Sequence, residues 1–277
     1  MREFGYEEGR NLVIEFRSAD GKQERFSSLA ADLVRLNVDV ILAGSPPHAR
    51  AAQQATRTIP IVVANLGDPI ADGLAASLAR PGGNVTGLTN LGVELNTKRL
   101  ELLKFAIPSL TRVAAFWDSA ASSPLTAKKT LDEVTSTARM LRMQVRFLRV
   151  DGPDQIARTF SPIPNETPEA LLIFHSSMFF TERRRIVELV AKHQLPSMFP
   201  ARDYVELGGL LAYGVKVADL FRRSAGYVHK ILQGAKPADL PIEQATNFEL
   251  VINAKTAKTL GIPIGESLLS RADEVIE

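Results

Sequence analysis

Polar side chains follow short apolar runs at several places in the chain, and they are the residues best suited to binding chemistry. In the first third of the sequence these positions are occupied by Ser45, Pro46, Asn65 and Asp68. Open parallel sheets bind ligands beyond the carboxyl ends of their strands. If the apolar runs are strands of such a sheet, these four residues lie where a ligand binds, and we predict them as ligand-binding residues.

Two of these positions have a second interpretation. Asp68 precedes Pro69, and an Asp-Pro pair is also typical of a helix start, where the carboxylate caps the first amides. The alternative is that the carboxylate binds a ligand amine or hydroxyl. Ser45 precedes Pro46 in the same way, so it either caps a helix or marks a helix start whose free amides favour a carboxylate or phosphate. Both alternatives stay open for each residue.

A second set of candidate ligand-binding residues lies later in the chain: Asp118, Ser119, Ser176, Ser177, Tyr213 and Asp219. The two serines at 176 and 177 either present hydroxyls to a ligand or begin a helix by capping it. The ring of Tyr213 is able to stack on a planar ligand while its hydroxyl bonds a polar edge. Asp219 is included because it falls near the start of a predicted helix.

The sequence contains none of the patterns that would favour catalysis. It has no cysteine, and its four histidines are scattered. There is no nucleophile elbow, no phosphate-binding glycine loop with lysine and no metal-binding histidine pair. Gly82 and Gly83 precede a strand, whereas a dinucleotide fingerprint follows one. We therefore expect no enzyme, no catalytic residue, no metal and no cofactor.

Composition indicates a folded protein of two lobes. A chain of 277 residues is long enough for two cores, and 45% of its residues are hydrophobic and 23% charged. The net charge is +2, and Lys and Arg are spread along the chain, which argues against a nucleic-acid surface. No apolar run approaches the ~20 residues that cross a membrane.

Hydrophobic periodicity predicts alternating strands and helices, and hence an α/β fold with parallel sheets covered by helices on both faces. The predicted strands are 12–17, 38–44, 59–63, 112–117, 144–150, 170–174, 195–199, 210–214 and an edge strand at 248–252. The predicted helices include 26–36, 69–80, 96–107, 125–141 and 202–207, and residues 156–160 are predicted to form a shorter helix or a turn.

Several segments resemble one protein family in the same order along the chain. They are GYEEGRNLVIEFRSADG, DVILA, GDPIADGLAASLARPGGNVTGLT, RRRIVELVAKHQLPSMFP, GGLLAYG, ILQGAKPADLPIEQ and FELVINAKTAKTLGIPI. The chain is similar in these segments to ABC-transporter substrate-binding proteins related to the tryptophan and tyrosine uptake systems. The segments cover nearly the whole chain, so the resemblance is specific.

The resemblance implies a type I periplasmic binding protein architecture, with two Rossmann-like lobes joined by three hinge crossings. The expected lobes are 1–90 with 213–242, and 91–212 with 243–277. It further implies a monomeric receptor that closes on a small molecule and presents it to an ABC permease. An amino acid, aromatic or of another kind, is the expected ligand, with its carboxylate at a helix start and its amine on Asp68. Asp118 departs from the family's Asn-Pro turn.

The first residues set this chain apart from the resembled family. Members normally begin with an export signal, then a first strand and helix, and are periplasmic or lipid-anchored outside the cell; residues 1–5 have no signal-peptide pattern. Two alternatives to a receptor therefore stay open: a cytoplasmic small-molecule sensor of the same fold, or a truncated form that folds and binds nothing.

Overall fold

The computed structural model describes residues 1–160 and 168–277, which form two compact α/β units. The first unit comprises Met1–Leu91 and Val217–Ala245, and the second comprises Gly92–Lys216 and Thr246–Glu277. The chain passes from one unit to the other three times. The bounds expected from sequence were 90, 212 and 242, so the last two crossings lie three to four residues further along the chain.

The described residues contain eleven strands and eleven α-helices. The strands are β1 Ile41–Ala43, β2 Ile61–Leu66, β3 Val85–Thr89, β4 Arg112–Trp117, β5 Gln144–Arg149, β6 Ala170–Ile173, β7 Ser197–Phe199, β8 Leu211–Val215, β9 Glu243–Gln244, β10 Phe248–Asn253 and β11 Glu274–Ile276. The helices are α1 Phe26–Arg35, α2 Pro46–Ala55, α3 Gly92–Ala106, α4 Pro124–Met140, α5 Pro153–Thr159, α6 Ser177–Thr181, α7 Arg183–Lys192, α8 Arg202–Glu206, α9 Val217–Leu232, α10 Ala254–Thr259 and α11 Glu266–Leu269.

The first unit is built on a four-stranded sheet in the order β1-β2-β3-β9, with every pair parallel. All residues of β2 and β3 are buried, as in parallel strands covered on both faces. Ile61 and Val63 pack with Ala49 and Ala52 of α2 in the core of this unit. This sheet places the ends of β1 and β2 side by side.

The second unit has a seven-stranded sheet in the order β11-β10-β8-β7-β6-β4-β5. Only the β10–β8 pair is antiparallel. Separate apolar clusters line its two faces: one is centred on α3 and α4, and the other on α7 and α8. Because β4, β6, β7 and β8 are mutually parallel, the residues that follow them lie along one edge of the sheet. The predicted α/β fold class is confirmed.

The strand predicted at 12–17 does not form. The segment makes one isolated bridge, between Glu8 and Leu12, and its backbone pairs with no strand of the described residues. Val13 and Phe16 are 79% and 78% exposed. Alternating apolar residues form a strand only where a neighbouring strand accepts their hydrogen bonds, and here none does.

The helix predicted at 69–80 is also wrong. Asp68 does make a cap-like contact, accepting from the amide of Ala71 at 3.1 Å, but turns follow instead of a helix. Gly73 has a φ of +69°, in the left-handed region, and this conformation ends the incipient first turn. The capping signal was therefore correct locally, although the helix it normally introduces is absent.

Three assignments in the last quarter of the chain need correction. β10 is not an edge strand, because the C-terminal strand β11 pairs beside it. The last crossing was expected after residue 242, yet Glu243 and Gln244 pair with β3 in the first sheet. Tyr213 was expected to begin the second segment of the first lobe, and it lies within β8 of the second sheet.

We predict that Gly87→Ala destabilises the first unit. Gly87 has a φ of +141°, and a Cβ atom there would lie 2.0 Å from the carbonyl oxygen of Val63 on the neighbouring strand. Neither backbone is able to move without breaking the β2–β3 pairing, so we expect a loss of about 3 kcal/mol in the free energy of unfolding. Denaturant unfolding of Gly87→Ala and of Gly83→Ala, where a Cβ meets nothing within 4 Å, measures the difference. Equal midpoints would contradict this account of the strand pair.

Candidate functional site

Asp118 and Ser176 form the centre of the candidate site in the second unit. Asp118 follows β4 and Ser176 follows β6, and these two strands are adjacent and parallel. The hydroxyl of Ser176 donates to Oδ2 of Asp118 at 2.6 Å, and both residues are almost fully buried. Parallel pairing thus brings together two predicted site residues that are 58 positions apart in sequence.

Ser176 also caps α6, as one of its two interpretations predicted. Its Oγ accepts from the amides of Met178 and Phe179 at 3.1 and 3.3 Å. Asp118 is fixed in turn, since its Oδ1 accepts from the amide of Ala120 at 2.9 Å. The pair is therefore a rigid polar group whose two members orient each other.

Ser119, Ser177 and Tyr213 have other surroundings. Ser119 donates to Oδ1 of Asp151 at 2.5 Å, near the surface of the unit. Ser177 is the first residue of α6, and its carbonyl accepts from Thr181. Tyr213 is half-buried, with its ring stacked on Phe248 at a centroid distance of 6.2 Å.

Arg99 is the main residue of this region that the sequence analysis missed. It lies on α3 and is only 2% exposed. Its Nε donates to the carbonyl oxygen of Tyr213 at 2.6 Å, and its Nη1 donates to Oδ1 of Asn96 at 2.7 Å. The available signal was the position of Asn96 and Arg99 on the same helix face as Leu100 and Leu103, because polar residues on an inner face require a reason.

His175, immediately before Ser176, is neutral at physiological pH. Burial, with a smaller contribution from the nearby charge of Arg99, lowers the pKa of His175 to about 4. Burial likewise lowers the pKa of Arg99 to about 9, which leaves it a cation at pH 7. This edge of the second sheet thus presents one cation beside a neutral imidazole.

In the first unit, Ser45 does not cap α2 with its side chain. It occupies the N-cap position, but its Oγ is hydrogen-bonded with Nδ1 of His48 at 3.0 Å. His48 also packs edge-on against Phe26 at 4.5 Å, and burial lowers its pKa. His48 is therefore held by contacts on two sides, a hydrogen bond with Ser45 and the ring of Phe26.

The start of α2 has fewer free backbone N–H donors for an anion than the sequence prediction assumed. Its first two residues, Pro46 and Pro47, have no amide hydrogen. The amide of Ala49 already donates to the carbonyl of Ser45 at 3.0 Å. Only the amide of His48 is left in the first turn, so this helix start is a poor anion site.

Asn65, Asp68 and Asn90 lie at the ends of the neighbouring strands of the first sheet. Asn65 is buried at the end of β2, and Asp68 is half-buried beyond it. Asn90, which the sequence analysis did not select, follows β3. Its backbone N–H donates to the carbonyl oxygen of Leu66 at 2.8 Å. Its side-chain Oδ1 is buried and has no hydrogen-bond partner among the described residues. Such an acceptor is typical of a position that a ligand or water satisfies.

Asp219 lies in the first turn of α9 and is half-buried. Among the described residues, no group of three or more His, Cys, Asp or Glu side chains is arranged to hold a metal ion. No helix in the described ranges is both long and apolar enough to span a bilayer.

Two units with parallel sheets, each carrying polar groups beyond its strand ends, define the type I periplasmic binding protein class. The family model for ABC transporter substrate binding proteins matches residues 1–276, and the chain belongs to this family. The resemblance inferred from sequence is confirmed. The family consists of binding proteins and typically acts on the periplasmic or extracellular side of the membrane.

Individual relatives extend over nearly the whole chain. The ABC domain from Streptococcus pneumonia, whose crystal structure contains L-Trp, is 28% identical with a TM-score of 0.89, covering 99% of this chain and 92% of that one. A conserved domain protein from Vibrio cholerae is 26% identical with a TM-score of 0.91, covering 99% and 90%. A tyrosine-binding protein of Clostridioides difficile (strain R20291) is 25% identical over 261 residues, covering 94% of this chain and 74% of that protein.

We predict that Ser176→Ala destabilises the second unit by about 2 kcal/mol, because it removes a helix cap and leaves Asp118 short of a buried donor. Urea unfolding measures the loss. Ser119→Ala is the matched control, since it removes a serine–aspartate hydrogen bond near the surface and should change stability by no more than about 0.5 kcal/mol. Equal effects of the two substitutions would mean that the buried pair has no special role.

We also predict that His175 makes stability depend on pH between about 6.5 and 4. The unfolded histidine has a pKa near 6.5, whereas the folded one titrates near 4, so the unfolded state binds more protons in this range. Stability is complete above pH 6.5 and falls as the pH drops, by roughly 2–3 kcal/mol at pH 4. Unfolding curves of wild type and His175→Asn across this range test the prediction, and the variant should lose less stability. Parallel curves would contradict it.

Proposed function

We propose that this protein is the solute receptor of an ABC importer, which binds an aromatic amino acid and delivers it to a membrane permease. The observation that supports the ligand class is that two relatives matched along nearly the whole chain are described with aromatic amino acids, one crystallised with L-Trp and one named for tyrosine. In this proposal the protein binds its ligand without changing it chemically.

Each unit carries candidate ligand-binding residues of its own. The first unit supplies Asn65, Asn90 and Asp68, with Ser45 and Pro46 nearby. The second supplies the Asp118–Ser176 pair and its neighbours Ser119, Ser177 and Tyr213, while Asp219 stays a candidate on α9. A ligand shifts the population toward the state that it binds more tightly, and this differential affinity is the physical basis of a receptor that changes state on binding.

Asp68 is the proposed partner of the ligand amine. Its Oδ1 accepts one backbone amide, and the carboxylate is half-buried, so its charge is only partly screened by water. A carboxylate in this environment suits an ammonium group, because a charge-assisted hydrogen bond is about twice as strong as a neutral one.

Isothermal titration calorimetry with L-tryptophan and L-tyrosine, and with L-leucine as a non-aromatic control, tests the proposal. We expect saturable binding of at least one aromatic amino acid and much weaker binding of leucine. A ligand at a hundred times its dissociation constant should also stabilise the native state by about 2.7 kcal/mol, which a thermal unfolding scan detects.

Asp68→Asn sharpens this test, because asparagine caps a turn as well as aspartate does but has no charge. We expect the variant to fold normally and to bind at least tenfold more weakly. Asp132→Asn, which removes an exposed carboxylate from α4, should bind as the wild type does. If the wild type has no affinity for any of the three amino acids, the proposed ligand class is wrong.

A further inference from the structure

Arg99 holds a positive charge inside the second unit. Two of its three guanidinium nitrogens are engaged: Nε with the carbonyl of Tyr213 and Nη1 with the side chain of Asn96. Nη2 has no acceptor among the described residues. Both acceptors that are present are neutral, so they orient the guanidinium without neutralising it.

No carboxylate compensates this charge. Within the described residues, no Asp or Glu oxygen lies within 4 Å of the Arg99 nitrogens, although fourteen other ion pairs occur there. Two groups whose electrostatics involve Arg99 are uncharged at neutral pH, because burial lowers the pKa of His175 and raises the pKa of Tyr204. A buried charge without a counter-charge costs several kcal/mol, so its presence points to a function.

Arg202, in the same unit, illustrates the usual arrangement. Its guanidinium lies 2.9 Å from Glu206, 3.4 Å from Glu249 and 2.8 Å from Glu274, and it is more exposed than Arg99. Thus the more solvated arginine has three carboxylate partners, while the buried one has none in the ranges 1–160 and 168–277. If stability alone decided the arrangement, the buried arginine would be the one with carboxylate partners, because buried charges are normally paired.

The position of Arg99 links it to the candidate site. A Cβ atom on Gly214 would lie 3.4 Å from its Nη2 and 2.0 Å from the carbonyl oxygen of Pro200, the residue that follows β7, so Gly214 allows this backbone to approach β8 closely beside Arg99. The carbonyl of Tyr213 that it contacts belongs to β8, the parallel neighbour of β7. Arg99 therefore lies in the same sheet region as His175 and the Asp118–Ser176 pair, where parallel sheets bind ligands.

We propose that Arg99 binds the carboxylate of the ligand and is the anion-recognition residue of this protein. The inference rests on the proposed function, and it replaces the start of α2 as the expected carboxylate site. Guanidinium groups match carboxylate geometry and bind it through paired, charge-assisted hydrogen bonds. The neutral state of His175 keeps a second positive charge away from Arg99, and the absence of a resident carboxylate leaves the cation available.

The test compares acid and amide forms of the same ligand. Binding of L-tryptophan and L-tryptophanamide, and of L-tyrosine and L-tyrosinamide, is measured by calorimetry for wild type and Arg99→Gln. Wild type should bind each acid at least about 30-fold more tightly than its amide, because the amide leaves the buried cation unpaired. Arg99→Gln should lose most of this preference. A residue with a purely structural role would weaken both forms equally.

Arg99→Lys keeps the positive charge but loses the paired hydrogen-bond geometry of the guanidinium, so this variant should retain an intermediate preference for the acid. Thermal unfolding without ligand confirms that each variant is folded. Wild type that binds acid and amide equally would overturn the anion site and leave the receptor function intact. The same holds if Arg99→Gln keeps the full preference. Wild type that binds neither form would overturn the proposed function, and this inference with it.

Discussion

Parallel strand pairing is the constraint on which the rest of this structure depends. Antiparallel neighbours would place successive strand ends at opposite edges, whereas parallel neighbours place them together. In the second unit, this is why Asp118 after β4 and Ser176 after β6 meet at 2.6 Å. The strands are apolar along their length, so the polar groups that their ends carry are concentrated at one edge.

Electrostatics then distinguish the residues at that edge. Asp118 is buried but receives hydrogen bonds from Ser176 and the amide of Ala120, which satisfy both of its oxygens. Arg99 is equally buried and receives no comparable compensation. Polar groups that hydrogen-bond each other are held in fixed positions. A buried cation without a carboxylate partner is instead stabilised when an anionic ligand binds to it. The two residues therefore differ in role although both are polar and buried.

The sequence predicted strands and long helices well and predicted turns and edges less well. The residues of β4 were predicted without error, because a run of six residues bounded by polar turns has one consistent interpretation. Residues 12–17 have an equally good alternating pattern, yet alternation does not say whether a pairing partner exists. The Asp68–Pro69 signal was likewise local, and the left-handed conformation of Gly73 overrode it.

The candidate site was predictable only in part, for a related reason. Site residues at strand ends were predictable from sequence, because the parallel order of the strands determines where in the sheet these residues lie. Arg99 was not, since its role depends on which groups surround it in space: two neutral acceptors, a neutral imidazole and no carboxylate.

In the first unit, the surroundings of the residues at the start of α2 likewise determine whether they are able to bind an anion. Sequence reasoning recognised a strand-to-helix turn there and inferred an anion site from it. Pro46 and Pro47 remove two amide donors, and the Ser45 hydroxyl is shared with His48, so little of the expected positive potential is available to a ligand. The asparagine and aspartate side chains beyond β2 and β3 give the first unit acceptors instead of donors. An amino acid carries one cation and one anion, and the proposed partners, Asp68 for the ammonium and Arg99 for the carboxylate, carry the opposite charges.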